Sequence, residues 1–438
     1  TGGTYTSMGI TLRGSDNNTV NGNAKTIGPL TINKTGTTTF QSALSCSTLT
    51  QTAGDVNFAT FNLTCSSTVA FTSGTYTNMG VLQCTTFTLN GIFNLSSGTL
   101  TPTVSFVLGS GTFTYAATAT LSAVGGITQY AGSATFSKAY ALTATGTYTL
   151  TAGDLILNGV DLSTGIFSST GAGIRSIQFG TNNIVLTHTT AAQTVINMAD
   201  VSNLTVTGTG GFNADALVTR TYSYGSTSGG SATNSANLLL TGAGTAIATI
   251  TTGSWFNTLN FNATAFVIPA TIVNINAITL STGGTFTGLT VQMRGTGLIT
   301  TNNKTIAGFV LDTIGTNTLA GNVTCTSYTQ TAGLLNLATF NIFCSGAISV
   351  TGGSMSNSGT ITCTTFTVNG TCSLDSGTIT PSVSVVLQSG SFTYNSGGTL
   401  SPVPTFTHTA GTFTLGKNYA LTATGTYTFT AGTLNLGG

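Results

Sequence analysis

Whole phrases of this 438-residue chain return at a fixed distance, and that constrains its fold more than any other feature. Gln51-Thr-Ala-Gly54 recurs as Gln330-Thr-Ala-Gly333, and Cys84-Thr-Thr-Phe-Thr88 as Cys363-Thr-Thr-Phe-Thr367. Ala141-Leu-Thr-Ala-Thr-Gly-Thr-Tyr-Thr149 recurs as Ala420-Leu-Thr-Ala-Thr-Gly-Thr-Tyr-Thr428, and the offset is 279 each time. Upstream, Gly2-Gly-Thr-Tyr-Thr6 and Arg13-Gly14 match Gly283-Gly-Thr-Phe-Thr287 and Arg294-Gly295 at an offset of 281. A two-residue insertion or deletion therefore lies between Gly14 and Lys25. Residues 1–159 return as 282–438, and 160–281 occur once, as a β segment linking the copies. Such self-similarity marks repeat architectures, in which each unit buries its apolar face against the next.

A finer period runs inside the long one. Cys46, Cys65 and Cys84 are 19 residues apart, and Cys325, Cys344 and Cys363 repeat the pattern. A rare residue at a fixed short interval suggests successive coils that place one position above itself. Glycines read as turns are less even: Gly54, Gly74, Gly98, Gly111 and Gly146 are separated by 20, 24, 13 and 35, so the coils are expected to vary in length. Segments such as Gly111-Thr-Phe-Thr-Tyr115, Gly146-Thr-Tyr-Thr-Leu150 and Asp154-Leu-Ile-Leu-Asn158 are short, rich in Thr, aromatic and branched residues, and bounded by Gly, Asn or Ser, as strands are. The apolar period is two, not 3.6, and no helix is predicted. In Thr75-Tyr-Thr77, Thr86-Phe-Thr88, Thr112-Phe-Thr114 and Thr147-Tyr-Thr149, alternation sends both Thr outward and the ring inward.

These readings predict an all-β chain, a parallel β-helix or β-solenoid rod with irregular coils of about 20 residues. At about 4.8 Å per coil, this gives around 22 coils and a rod near 100 Å long. Tandem β-sandwich repeats are the competing architecture, above all for 160–281, where no coil period is visible. An end coil offers unpaired N–H and C=O groups, so further repeats of the same protein, or a second copy end to end, are the expected partners.

Composition narrows the function. Only 9 Lys+Arg and 8 Asp+Glu are present, with no Glu, beside 98 Thr and 57 Gly, so hydroxyls, amides and backbone must solvate the surface. A net charge of +1 gives no footprint for DNA, RNA or an anionic bilayer, so no nucleic-acid partner is expected. Pro269, several Thr and three Asn break the most apolar window, Asn262 to Leu280, and no membrane insertion is expected. Disorder is not expected either, since 40% of residues are hydrophobic. The chain begins at Thr1, so any export signal is expected to have been removed or never to have been part of this segment, and we expect a longer protein to continue on both sides.

Candidates for chemistry are few. His188 and His408 are the only imidazoles, and Gln129 stands where the other copy has His408. Asp55 matches Leu334, Asp154 matches Thr433, and Asp375 matches Ser96, so no acidic pair or triad is duplicated, and acid–base catalysis needs positioned groups with tuned pKa values. A site confined to 160–281 would draw on Asp161, Asp200, Asp215, Arg175, Arg220 or His188. No catalytic residue, cofactor site or metal site is predicted. The cations that recur are Arg13 with Arg294, Lys25 with Lys304, and Lys138 with Lys417. They would either capture an anionic glycan weakly or, as we prefer, cover apolar edges and hydrogen-bond turn carbonyls. The six periodic cysteines are predicted to form a structural ladder. In an exported protein Cys65 could bridge to Cys46 or to Cys84, but a column of small buried free thiols is favoured. Cys372, standing where the other copy has Phe93, fits an inward apolar position. Several Asn-x-Ser/Thr sequons are present, including Asn17, Asn33, Asn62, Asn203, Asn262 and Asn322.

The long repeat, the Thr-Gly-rich strands, and phrases such as Gly173-Ile-Arg-Ser-Ile-Gln-Phe-Gly180 and Gly284-Thr-Phe-Thr287 resemble repeat regions of giant β-solenoid bacterial surface proteins of the filamentous-adhesin type. Bacteriophage fibre proteins carry similar stretches. The resemblance implies an elongated structural or adhesive protein, extracellular or on the cell surface, with the virion surface as the alternative. It implies no catalytic residues. The leading expectation is a structural fibre. The alternatives are a phage tail or capsid fibre, a glycan- or ice-binding surface, and a β-helix carbohydrate-active enzyme. Ice binding needs Thr-x-Thr rows in a flat regular array, against which the uneven glycine spacing argues.

Overall fold

Alternation of apolar and hydroxyl residues builds strands here, and glycine corners turn one strand into the next. The computed structural model describes residues 5–77, 80–215, 217–231, 234–242, 247–263, 267–356, 359–422 and 424–437. Gly2 to Thr4 of the first repeated phrase and Ala423 of the last lie outside the described residues. Among those residues there is no helix, and the strand ladders are parallel; the antiparallel pairing is an isolated bridge between Ser231 and Asn234. The fold is a β-solenoid, and the sandwich alternative does not hold.

Packing divides the chain into two compact units, Thr1–Ala214 and Asp215–Gly438. In the first, one sheet climbs from Ile10–Gly14 to Gln193–Asp200 and a second from Asn18–Val20 to Leu204–Gly208, each strand pairing with its counterpart one coil later. In the second unit the same stacking runs from Ala236–Gly242 and Trp255–Ala263 up to Thr426–Phe429 and Thr433–Leu436.

The interior of each unit is a set of in-register columns. Tyr76, Phe93, Phe113, Ala134, Leu155 and Ile177 stack in one, and Val69, Phe87, Phe106, Ile127, Tyr148 and Phe167 in another, all buried. The outward Thr neighbours of these rings are half-buried or exposed, as alternation predicts. Rings touch between the columns: Phe106 and Phe113 lie 4.8 Å apart edge to face, and Phe406 and Phe413 4.8 Å apart in the second copy. Each buried ring contributes on the order of 1.5–3 kcal/mol, with about 0.5–1.5 kcal/mol more per ring pair.

Gly54, Gly74, Gly91, Gly111, Gly132 and Gly153 occupy one corner of successive coils, so that corner is more regular than its sequence reading. A Cβ on any of the last five would lie only 1.7–2.7 Å from the carbonyl oxygen of the glycine below, so no side chain fits. The spacings are 20, 17, 20, 21 and 21, and Gly333, Gly353, Gly370, Gly390, Gly411 and Gly432 repeat them in the second copy. The uneven series in the sequence mixed corners: Gly98 and Gly146 sit elsewhere on the coil, where their carbonyls accept from Thr120 and Ile166.

The absence of a visible period in 160–281 also has a physical reason. Ser176 lies beside Thr205 and Ile184 beside Phe212, so these coils take 29 and 28 residues. Thr221 beside Thr249 again gives 28, while Asn260 beside Thr279 gives 19. Extra residues enter as loops between strands and leave the parallel register intact.

Candidate functional site

The periodic cysteines lie on neighbouring coils. Cys46 pairs in register with Cys65, and Cys325 with Cys344. Leu82 and Gln83 lie beside Leu63 and Thr64, which carries the register on to Cys84 above Cys65. Ile361 and Thr362 beside Ile342 and Phe343 do the same for Cys363 above Cys344. Proline closes both columns, with Cys84 beside Pro102 and Cys363 beside Pro381. Cys372 lies in a different column, between Met355 and Phe392. All seven thiols are free and buried. The Sγ atoms of Cys46 and Cys65 are 2.8 Å apart.

Burial sets the character of these sulfurs. It pushes the Cys84 thiol up to about 12, partly offset by the Val69 backbone hydrogen bond. It does the same, to about 12, for Cys363, helped by Cys344, and for Cys372, helped by Asp375. The hydrogen bond to Cys46 and then burial raise Cys65, and the hydrogen bond to Cys344 and then burial raise Cys325. In each pair a second thiolate would face the first inside the core, so both cannot ionise together. Cys84, Cys363 and Cys372 are therefore poor nucleophiles and sit as small apolar groups, whereas the hydrogen bond from Cys325 holds the Cys344 thiol down to about 7.

Of the recurrent cations, Lys138, Lys417 and Arg294 fasten coils. Lys138 Nζ donates to the Ala119 carbonyl and lies 5.7 Å from the Tyr115 ring centre. Its counterpart Lys417 donates to the Gly398 carbonyl and lies 5.0 Å from Tyr394. Arg294 pairs with Asp312, donates to Asn274 Oδ1 at 3.0 Å and sits 5.8 Å from Trp255, whereas Arg13 is exposed on Ile10–Gly14. Lys34, 2% exposed, donates to the Asp16 carbonyl. Of the residues that a site in 160–281 would use, Arg175 donates to the carbonyls of Ser169 at 2.7 Å and Asp200 at 3.2 Å, and Arg220 pairs with Asp215 at 2.8 Å. His188 Nδ1 accepts from the Thr190 amide. The Asp161 carboxylate accepts the Asn183 amide at 2.7 Å. Among the described residues no three His, Cys or Asp side chains are placed to hold a metal ion.

Two roles were missed from the sequence. First, Asn and Asp side chains tie one coil to the next by accepting the backbone N–H that opens the following strand. Asn17 accepts from Thr37, Asp55 from Thr75, Asn62 from Val81, and Asn341, the counterpart of Asn62, from Thr360. Three of the sequon asparagines, Asn17, Asn62 and Asn322, therefore hold coil corners. Second, a buried polar residue stands three positions before several corner glycines. Gln129 Nε2 donates to the Gly132 and Asp154 carbonyls, at 3.1 and 2.9 Å, while its Oε1 accepts from Tyr148 Oη at 2.7 Å. Gln330 repeats this with Gly333, Ser354 and Tyr328. His408, fully buried, replaces it with Nε2 donating to the Gly411 carbonyl at 3.3 Å and Nδ1 3.1 Å from Tyr427 Oη. The shared Gln-x-Ala-Gly or His-x-Ala-Gly phrase was the available signal.

Outside, hydroxyls form rows. Ser354, Thr371, Ser391, Thr412 and Thr433 stand in register on five successive coils, and Ser356, Ser373, Thr393, Thr414 and Asn435 in a parallel row two residues along. The rows are about 6.6 Å apart along the strands, and successive members about 4.8 Å apart across them.

No protein-family model, curated protein or solved structure matches the chain. It is a β-solenoid repeat protein, and no helix among the described residues is long and apolar enough to cross a membrane.

Proposed function

We propose that the chain is a structural component of an extracellular or cell-surface fibre, and that its mechanism is coil stacking rather than chemistry. One observation carries this reading: inward residues stack in register from coil to coil, so that each coil is buried by its neighbours. Val291 and Met293 are buried beside Val273 and Ile275, and Tyr148 and Leu155 beside Phe167 and Ile177. Stacking of this kind can be continued by neighbouring repeats of the same protein or by a second copy meeting it end to end. A phage tail or capsid fibre would use the same stacking. Electron microscopy of the purified chain should give rods or filaments, and compact monomeric particles at every concentration would overturn the proposal. Labelling of intact source cells with an antibody against the chain tests the surface location.

A second reading, ice or glycan binding through the outer hydroxyls, is favoured by the two in-register Ser/Thr rows, because the corner glycines that seemed uneven in sequence stack regularly. Thermal hysteresis and glycan-array binding test it. Absence of both signals, with filaments present, would leave the structural role alone. A polysaccharide-turnover assay tests for the enzyme alternative, and turnover there would overturn the structural reading.

A further inference from the structure

Six of the seven cysteines form two identical columns, yet their sulfurs are not equivalent within a column. The first two positions share a register pair in both copies. Cys46 and Cys65 have Sγ atoms 2.8 Å apart, and in the equivalent pair of Cys325 and Cys344 the Cys344 Sγ also donates to the Thr326 and Ala347 carbonyls at 3.4 Å. Neighbouring parallel strands hold paired Cα atoms about 4.8 Å apart, within the roughly 4.4–6.8 Å that a disulfide spans. The third position is engaged elsewhere: Cys84 takes a backbone hydrogen bond from Val69. Each sulfur can form only one bond, so the approach of the first two decides which pair closes.

We infer that Cys46–Cys65 and Cys325–Cys344 are oxidisable pairs that close as disulfides between successive coils, leaving Cys84, Cys363 and Cys372 as thiols. The oxidant is a low-molecular-weight disulfide. The thiolate of one cysteine attacks it, forming a mixed disulfide and expelling one small thiolate. The second cysteine, giving up its proton to solvent, then attacks the protein sulfur of the mixed disulfide and expels the other. Two protein thiols become one disulfide, and the reagent takes up the two electrons as two thiols. Because the folded sulfurs are buried, the exchange belongs to the period when coils assemble. Each bond closes a loop of 19 residues and removes conformational freedom from the unfolded chain. The inference is independent of the fibre proposal.

The test is refolding from guanidinium in a mixture of oxidised and reduced glutathione, followed by alkylation in denaturant and peptide mass spectrometry. Titratable thiols should fall from seven to three, with linked peptides joining 46 to 65 and 325 to 344. Excess dithiothreitol should restore seven and lower the melting midpoint. Cys84→Ser should keep both links, while Cys65→Ser should keep only 325 to 344 and leave Cys46 free. Seven free thiols after refolding, or links reaching Cys84, Cys363 or Cys372, would overturn the inference.

Discussion

The glycine corner offers the sharpest energetic test of coil stacking, through Gly132→Ala. Gly132 has φ +74°, and a Cβ there would lie 1.9 Å from the Gly111 carbonyl oxygen and 2.8 Å from the Ser110 carbonyl carbon. Contacts under 3.0 Å are essentially never adopted by real Cβ atoms, so the two coils must part by more than 1 Å at this corner. The left-handed conformation costs alanine about 1–2 kcal/mol. Parting the coils also breaks the hydrogen bond from the Ser133 amide to the Gly111 carbonyl, 3.0 Å, for about 1–3 kcal/mol more. The expected total is about 2–5 kcal/mol. Two controls separate the causes. Gly159→Ala, with φ +81° and nothing within 4 Å, should cost only the conformational term of about 1–2 kcal/mol. Gly125→Ala, whose nearest neighbour is the Val104 oxygen at 3.5 Å, should be near neutral. Repeat arrays lose all-or-none behaviour as they lengthen, so the readout should be local. Residue-resolved amide exchange at Ser133 and Asp154 should quicken by about 30-fold to several thousand-fold in Gly132→Ala, at tenfold per about 1.4 kcal/mol. If Gly132→Ala costs no more than Gly159→Ala, the close approach of successive coils at this corner is wrong.

Gln129→Leu should destabilise the chain by about 1–3 kcal/mol by leaving the buried Tyr148 hydroxyl without its acceptor, whereas Gln129→His should be tolerated because His408 fills the same place in the other copy; urea denaturation of both variants checks the contrast. Folding stability should fall as pH rises from about 9, because the folded chain keeps protons on Cys84, Cys363 and Cys372 that the unfolded chain, at its ordinary value near 9, releases. At pH 10 the three thiols together should account for about 4 kcal/mol of that loss, and replacing all three by Ala should make the denaturation profile shallower between pH 9 and 10. Lys138→Met should cost about 1–3 kcal/mol through the lost bond to the Ala119 carbonyl; a loss that disappears in molar salt would instead indicate an ion pair.

The architecture was legible because two signals are local and survive repetition. Alternation in Thr-aromatic-Thr triplets gave the inward face, and Cys46, Cys65 and Cys84 gave the coil length. Corner regularity was hidden because Gly98 and Gly146 carry the same residue type as the stacked column while serving other corners. The coils of 160–281 were hidden because loops lengthen them to 28 and 29 residues without disturbing the parallel register of Ser176 with Thr205 or Thr221 with Thr249. The buried roles of Gln129 and His408 were out of reach for a further reason. Alternation puts Gln129 on the face of Ile127 and His408 on that of Phe406, but their polarity argues for solvent, and only a three-dimensional corner supplies the carbonyls and tyrosine hydroxyl that satisfy them inside.

The most direct measurement is a methyl–methyl NOE experiment on selectively labelled, otherwise deuterated protein, following one inward column without altering it. Ala134 lies in register with Leu155, and Leu155 with Ile177, at sequence separations of 21 and 22. Cross-peaks are expected from Leu155 to both Ala134 and Ile177, with none directly between Ala134 and Ile177. Absence of both Leu155 cross-peaks in the folded protein would contradict stacked, in-register coils.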